Sequence, residues 1–305
     1  MGHGHHHHDH AAPAPGGHGA AFAVAITLNL GFVAAEVIAG LAAGSMALLA
    51  DAGHNLGDVL ALLLAWGASV LAARPPSARF TYGLKSSSIL AAIANAALLW
   101  VALGAILVET LRRLGDPAPV AAGPMIWVAA AGIAVNGLSA ALFAKGRKGD
   151  LNLRAAFQHL LADAAVSAGV VIAGVAIALT GLAWIDPVTS LAITAVIGWG
   201  SWGLLRDGVR MGLLAVPDGI DEAAVRSYLA ALPGVTAVHD LHIWPMSTTE
   251  TAFTAHLVMP GGAPGDAFLH DVAQGLEHDF GIGHATIQVE MEAGAECVLE
   301  ADGVI

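Results

Sequence analysis

The strongest constraint on this chain is a series of six long apolar stretches. A backbone that enters lipid must satisfy its hydrogen bonds within each segment, so such stretches cross as helices. The predicted spans are 20–41, 46–73, 88–111, 124–144, 153–179 and 187–205, each long enough to reach across a bilayer. Composition agrees: the chain is 56% hydrophobic and only 12% charged, with a mean hydropathy of +0.70. Those values describe an integral membrane protein rather than a soluble enzyme. Nine bases (Arg74, Arg79, Lys85, Lys145, Arg147, Lys148, Arg154, Arg206 and Arg210) flank the spans on one side, and only Arg112 and Arg113 on the other. The side richer in positive charge faces the cytoplasm, which places both termini there.

Charged residues inside such spans are costly and need a purpose. A carboxylate at membrane depth costs roughly 2.5–3.5 kcal/mol on insertion scales and normally faces a cavity or a partner. The second span contains Asp51-Ala52-Gly53-His54-Asn55-Leu56-Gly57-Asp58, in which His54 and Asp58 are four apart and share a helix face. The pattern returns in the fifth span as His159 and Asp163. Two H-x-x-x-D helices facing each other would offer two imidazoles and two carboxylates, a set suited to tetrahedral Zn²⁺. A single His–Asp pair could be a packing hydrogen bond, but two identical pairs in two spans argue for a ligand set. Such ligands bind metal only when deprotonated, so metal and protons compete for the same atoms. Histidine titrates near neutrality, which makes that competition usable across a physiological pH gradient.

Other polar residues in the spans are less specific. Asn95, Asn136 and Ser139 read as interhelical hydrogen-bonding groups among abundant Ala and Gly. Glu36, seven residues beyond Asn29 on one face of the first span, reads equally as packing or as part of a polar pathway. Asp51 is an extra acid without a defined role.

Beyond residue 206 the composition becomes that of a small water-facing domain. From Met211 onward there are fourteen acidic residues against one base, Arg226, which excludes nucleic-acid binding and suits divalent cations. A helix over 220–232, strands over 235–244 and 251–259, a helix over 264–280 and a strand over 285–291 are predicted. The α-β-β-α-β order with antiparallel strands implies a two-layer α+β fold. Alternation places His239 on the face of Leu241 and Ile243. The core of so small a domain is marginal alone, so pairing with a second copy is expected. The single Cys297 excludes an intrachain disulfide and any cysteine-based zinc finger. Residues 1–10 hold six histidines, and the stretch through Gly19 is rich in Gly, Pro and His, which predicts a disordered tail. The organisation is thus a His-rich tail (1–19), a six-helix transport domain (20–206), a metal-binding dimerisation domain (207–292) and a C-terminal tail (293–305).

Several motifs together resemble the cation diffusion facilitator family, and most closely its bacterial zinc and cobalt-zinc-cadmium exporters. They are Ser45-Met46-Ala47-Leu48-Leu49-Ala50-Asp51-Ala52-Gly53-His54 with Asp58, Arg79-Phe80-Thr81-Tyr82-Gly83, His159 with Asp163, and Val238-His239-Asp240-Leu241-His242-Ile243-Trp244. The resemblance implies a six-helix homodimer in a bacterial inner membrane, with a metallochaperone-like, ferredoxin-like cytoplasmic domain, that exports Zn²⁺ against protons. It assigns the transport ligands to His54, Asp58, His159 and Asp163. It assigns C-terminal-domain ligands to His239, His256 and Glu290, with His284 as a fourth, and Zn²⁺ there as a regulatory ligand. Residues 74–79 lack the Asp and His with which some relatives bind a further metal, and residues 145–150 lack the His-rich loop of others. The N-terminal histidines would then serve in metal capture.

Three other functions compete. An exporter of broader range (Zn²⁺, Co²⁺, Cd²⁺) follows if affinity order alone decides selection. A membrane metalloenzyme needs an open metal position with a general base beside it, which four converging ligands argue against. A non-transporting sensor would dispense with the intramembrane pairs, which are intact here.

Overall fold

A computed structural model of the protein describes residues 19–143, 151–262 and 264–291. They fall into two compact units, one made of the described residues up to Leu64 with Ala94–Gly203, the other of Ala65–Ile93 with the described residues from Leu204 onward. The expected N-terminal tail, the 145–150 loop, Cys297 and the C-terminal tail lie outside the described residues.

Six long helices open the chain: α1 (Gly19–Ala43), α2 (Met46–Ala72), α3 (Ser87–Gly115), α4 (Ala122–Phe143), α5 (Leu151–Thr180) and α6 (Ile185–Gly212). Five of them, α2 to α6, contain stretches long and apolar enough to cross a membrane. The described apolar part of α1, Asn29–Ala43, is shorter than a span, so the described residues establish five spans where six are expected. Large side chains such as Trp127, Leu179 and Trp199 are exposed, as suits helices set in lipid. The interior of the first unit is built from Leu48, Met125 and Val170 set among Ala47, Ala50, Ala129 and Ala173. Lipid tails are as apolar as leucine, so small residues that let helices approach closely supply the packing. α4 and α5 pack together along their lengths, and α1 packs on α4.

In the second unit, Gly83 in the turn before α3 adopts φ 71°, and a Cβ there would stand 3.2 Å from the Arg74 carbonyl. Only glycine sits there without strain. The C-terminal domain then runs α7 (Glu222–Ala230), β1 (Ala237–Pro245), β2 (Thr251–Val258), α8 (Asp266–Phe280) and β3 (His284–Glu290). Asp221 caps α7 by accepting from the Ala223 N–H at 3.0 Å, and Gly281 ends α8 in the left-handed conformation. The sheet order is β1-β2-β3. β1 and β2 pair antiparallel, but β2 and β3 pair parallel, which corrects the expectation of antiparallel strands throughout. The reason is α8, a crossover helix that returns the chain to the same end of the sheet.

One face of that sheet carries Phe253, Ala255 and Leu257 of β2 with Ile243 of β1, and joins Val225, Leu229, Val272 and Leu276 of the helices in a dry core. A bulge in β1 between His239 and His242, with Asp240 at φ 47°, shifts the alternation by one residue. His239 therefore pairs with His256 and shares its face, opposite Ile243. The expectation that His239 lies on the face of Leu241 and Ile243 is overturned by this bulge.

Candidate metal centres

The first centre depends on how α2 is held. Its N-terminus is capped from outside by Asp186 of α6, a fully buried carboxylate. Asp186 accepts from Ser45 Oγ and Met46 N, both at 2.6 Å, and from Ala47 N at 3.2 Å. Those backbone donors have no partner within the helix, and an anion there also suits the helix dipole. Two turns on, Gly53 and Gly57 lie against α3. A Cβ on either would stand 3.0 Å from Ile106 or 3.1 Å from Leu99, so these glycines permit close approach.

His54 and Asp58, fixed in this way, meet α5. His54 Nε2 is 3.1 Å from Asp163 Oδ1, and His159 Nε2 is 3.3 Å from Asp58 Oδ2. Each imidazole thus pairs with the carboxylate of the other helix. Within each helix the separations are longer, 3.9 Å for His54–Asp58 and 3.6 Å for His159–Asp163. Tetrahedral Zn²⁺ with bonds near 2.0–2.1 Å requires neighbouring ligand atoms about 3.3 Å apart; the His–carboxylate separations lie near that value, with His54 and His159 meeting different oxygens of Asp163. His54, Asp58 and Asp163 can bring one ligand atom each within 4.8 Å of one another. His159 is half exposed and joins them through the two carboxylates, its ring centroid 6.0 Å from that of His54.

Two further acids sit in the same unit, both wholly inaccessible to solvent. Glu36 of α1 accepts from Asn55 Nδ2 at 2.8 Å, and Asp51 accepts from Ser167 Oγ at 2.9 Å. Neither Asn55 nor Ser167 is singled out by the sequence, because amide and hydroxyl groups in membrane helices are usually packing groups.

The second centre lies on the sheet face of the C-terminal domain away from its helices. His256 Nδ1 is 3.0 Å from Glu290 Oε1, and His239 Nε2 is 3.4 Å from the same oxygen. The two imidazoles meet edge to face with centroids 5.1 Å apart. His239 Nε2 is buried and has no hydrogen-bond partner among the described residues, an arrangement that suits a metal ligand. Asp240, thrown across by the bulge, places Oδ2 3.3 Å from His256 Nε2 and Oδ1 2.9 Å from His242 Nε2. The motif contains Asp240, but alternation hides its reach, so sequence reasoning misses it. His284 is not in this group. It pairs with Ala252 at the other end of β3 and meets the Tyr82 ring at 5.6 Å. It lies four residues from Gln288, the β3 partner of His256, about 13 Å along the strand.

Both centres fall inside regions matched by family models. Residues 22–211 match the cation efflux transmembrane domain, and residues 217–292 match the cytoplasmic domain of cation efflux proteins. The chain belongs to the cation efflux family. Members of this family, the cation diffusion facilitators, are metal transporters rather than enzymes. Among its relatives, the zinc transporter ZitB of Escherichia coli (strain K12) is 37% identical over 276 residues, 89% of this chain and 88% of the relative. The cation efflux system protein CzcD of Alcaligenes sp. (strain CT14) is 35% identical over 261 residues, covering 85% and 83%. The cadmium, cobalt and zinc/H(+)-K(+) antiporter of Bacillus subtilis (strain 168) is 32% identical over 268 residues, 86% of each chain. This family member is thus a metal cation efflux transporter.

Proposed function

We propose that the protein exports Zn²⁺ from the bacterial cytoplasm in exchange for protons, with His54, Asp58, His159 and Asp163 holding the ion in transit. The observation that carries this reading is the reciprocal pairing of the two helices, 3.1 Å for His54–Asp163 and 3.3 Å for His159–Asp58. Two imidazoles and two carboxylates hold the dication with no net charge left over, which limits the penalty of burying it. The same atoms bind protons when the metal leaves. Alternating access then moves Zn²⁺ one way and protons the other. The N-terminal histidines deliver metal, and both termini lie in the cytoplasm.

The C-terminal set in this reading is His239, His256 and Glu290, with Asp240 orienting His256 from its other nitrogen. His284 is not part of it within one protomer. Two copies of so acidic a domain repel, and a cation bound on each reduces the repulsion and favours the homodimer.

A broader substrate range is the second reading, favoured by the ligand set itself, since two carboxylates and two imidazoles also accept Co²⁺ and Cd²⁺. The test is metal uptake into proteoliposomes with and without an imposed pH gradient, by wild type and by Asp163→Ala. Gradient-driven Zn²⁺ uptake that disappears in a well-inserted Asp163→Ala protein is expected. Uptake that persists in the variant would sink the ligand assignment, and competition by Co²⁺ and Cd²⁺ ranks the substrates.

A further inference from the structure

The quartet is open on one side only. Side-chain exposure falls from 50% at His159 and 37% at Asp58 to 17% at His54 and 5% at Asp163. Because His54 meets Asp163 and Asp58 meets His159, the two helices run antiparallel. The exposed pair therefore lies toward the C-terminal end of α2 and the covered pair toward its N-terminal end. Beyond the covered pair, the same face of α2 carries Asp51 and then Ala47, neither with any exposure.

What closes that end is a set of ties on the turn between α1 and α2. Asp186, second residue of α6, engages both of its oxygens with Ser45 Oγ, Met46 N and Ala47 N. It differs in this from the other two wholly inaccessible acids, whose Glu36 Oε1 and Asp51 Oδ1 have no hydrogen-bond partner among the described residues. Ser45 extends the tie, since its Oγ also accepts from Leu48 N at 3.1 Å. Arg113 of α3 donates from Nη1 to the Gly44 carbonyl at 2.6 Å and from Nε to Glu109 Oε1 at 3.2 Å. Ala121, just before α4, donates its N–H to the Ala43 carbonyl at 2.8 Å. Three separate parts of the chain thus fasten one turn. All these groups sit at helix ends, where water can take the place of each lost partner. Polar ties in the middle of a span have no such replacement, so a reversible closure belongs at the ends.

We propose that Asp186 is the latch of the gate opposite the open side, a positioning residue of transport that acts through the α2 backbone. It holds the N-terminal end of α2 against α6 while the quartet is open at the other end, and it lets go when the cation leaves past Ala47. This rests on the exchange reading above for cargo and direction, and deepens it by naming the contact that parts. Two of the three donors to Asp186 are backbone N–H groups of α2. Release therefore frees the helix to move as a body, carrying His54 and Asp58 relative to α5. Arg113 serves as a second tie to the same turn.

The test is labelling of Ala47→Cys by a membrane-impermeant maleimide, in a Cys297→Ser protein. Zn²⁺-loaded proteoliposomes are used with the reagent in the bath, because molecules that export into the bath present the α2 N-terminal end to it. Exposed Ala118→Cys, in the connection between α3 and α4, is the reference for that end. At rest Ala47→Cys should react far more slowly than the reference. During Zn²⁺ efflux driven by a pH gradient its rate relative to the reference should rise, which a cap with only a structural role would not produce. Asp186→Asn keeps the shape but loses the charge and turns an amide donor toward the α2 N–H groups. It should raise the resting rate by about tenfold. Zn²⁺ affinity should stay within about threefold of wild type, as the ligands are untouched. Arg113→Gln should shift the rate the same way by less, and it carries the comparison where Asp186→Asn fails to insert. Resting labelling as fast as the reference overturns the proposal. So does a rate that stays at its resting value during measured Zn²⁺ efflux, or one that neither variant changes. Vesicles whose latch-intact protein moves no Zn²⁺ under the gradient defeat the exchange reading instead, and the resting rates of the variants still decide the latch.

Discussion

The two centres use nearly the same side chains and are built in opposite ways. In the membrane unit, each His–Asp pair is local, four residues apart on one helix, and the site appears when two such helices meet. In the C-terminal domain, the ligand atoms are distant in sequence and are brought together by strand pairing, His239 opposite His256. The first site is therefore as rigid as α2 and α5, whereas the second depends on the register of a three-stranded sheet and on one bulge. A site that must hold and release a cargo benefits from stiff walls that move as bodies. If the C-terminal centre senses metal, as the proposed function has it, it benefits from sitting where a small domain can reorganise.

The largest expected separation between the two is in flux. Asp163→Ala should lower Zn²⁺ transport by more than about 100-fold, beyond the usual cost of losing a group that only orients a ligand. His239→Ala with His256→Ala should retain measurable transport in the same vesicle assay while losing Zn²⁺ binding to the C-terminal domain. Equal loss in both would mean that the second centre lies on the transport path.

The next contrast is between two helix caps. Asp186 is buried and serves three donors at the start of α2, so Asp186→Ala should cost about 3 kcal/mol or more. Asp221 caps α7 through one donor at an exposed position, and Asp221→Ala should cost about 1 kcal/mol. Thermal unfolding in detergent reads both. Similar midpoints for the two variants would show that α2 is held by packing rather than by its cap.

A smaller effect tests the bulge. Asp240→Asn should weaken metal binding at the C-terminal centre by about tenfold and leave the quartet's affinity unchanged. Competition titration with a chelator distinguishes the two classes of site. The smallest effect concerns Lys85 and Glu250, which pair at the surface of the second unit. Both are substantially solvent-exposed, so Lys85→Ala should change stability by less than about 1 kcal/mol. A larger shift would indicate that the pair, together with Ser88 Oγ accepting from Thr248 N at 3.1 Å, fastens the turn before α2's partner helix α3.

Much of this protein is written in its sequence, and the reason is periodicity. Apolar runs that cross lipid must be helices, and i,i+4 spacing alone puts His54 with Asp58 and His159 with Asp163. The membrane quartet is legible because its pairs are local and because charge in lipid is costly enough to be informative. The parallel pairing of β2 with β3 and the bulge at Asp240 leave no such mark, since one inserted residue in a strand reverses every later side chain without altering the pattern's look. Nor does the sequence tell that Asp186 reaches back to cap α2, or that Asn55 and Ser167 each serve only one oxygen of a buried acid. Hydrogen bonds between residues far apart in the chain are set by where helices cross. Local pattern determined the helices and the quartet, and only tertiary packing decided which carboxylate oxygens were left without a partner.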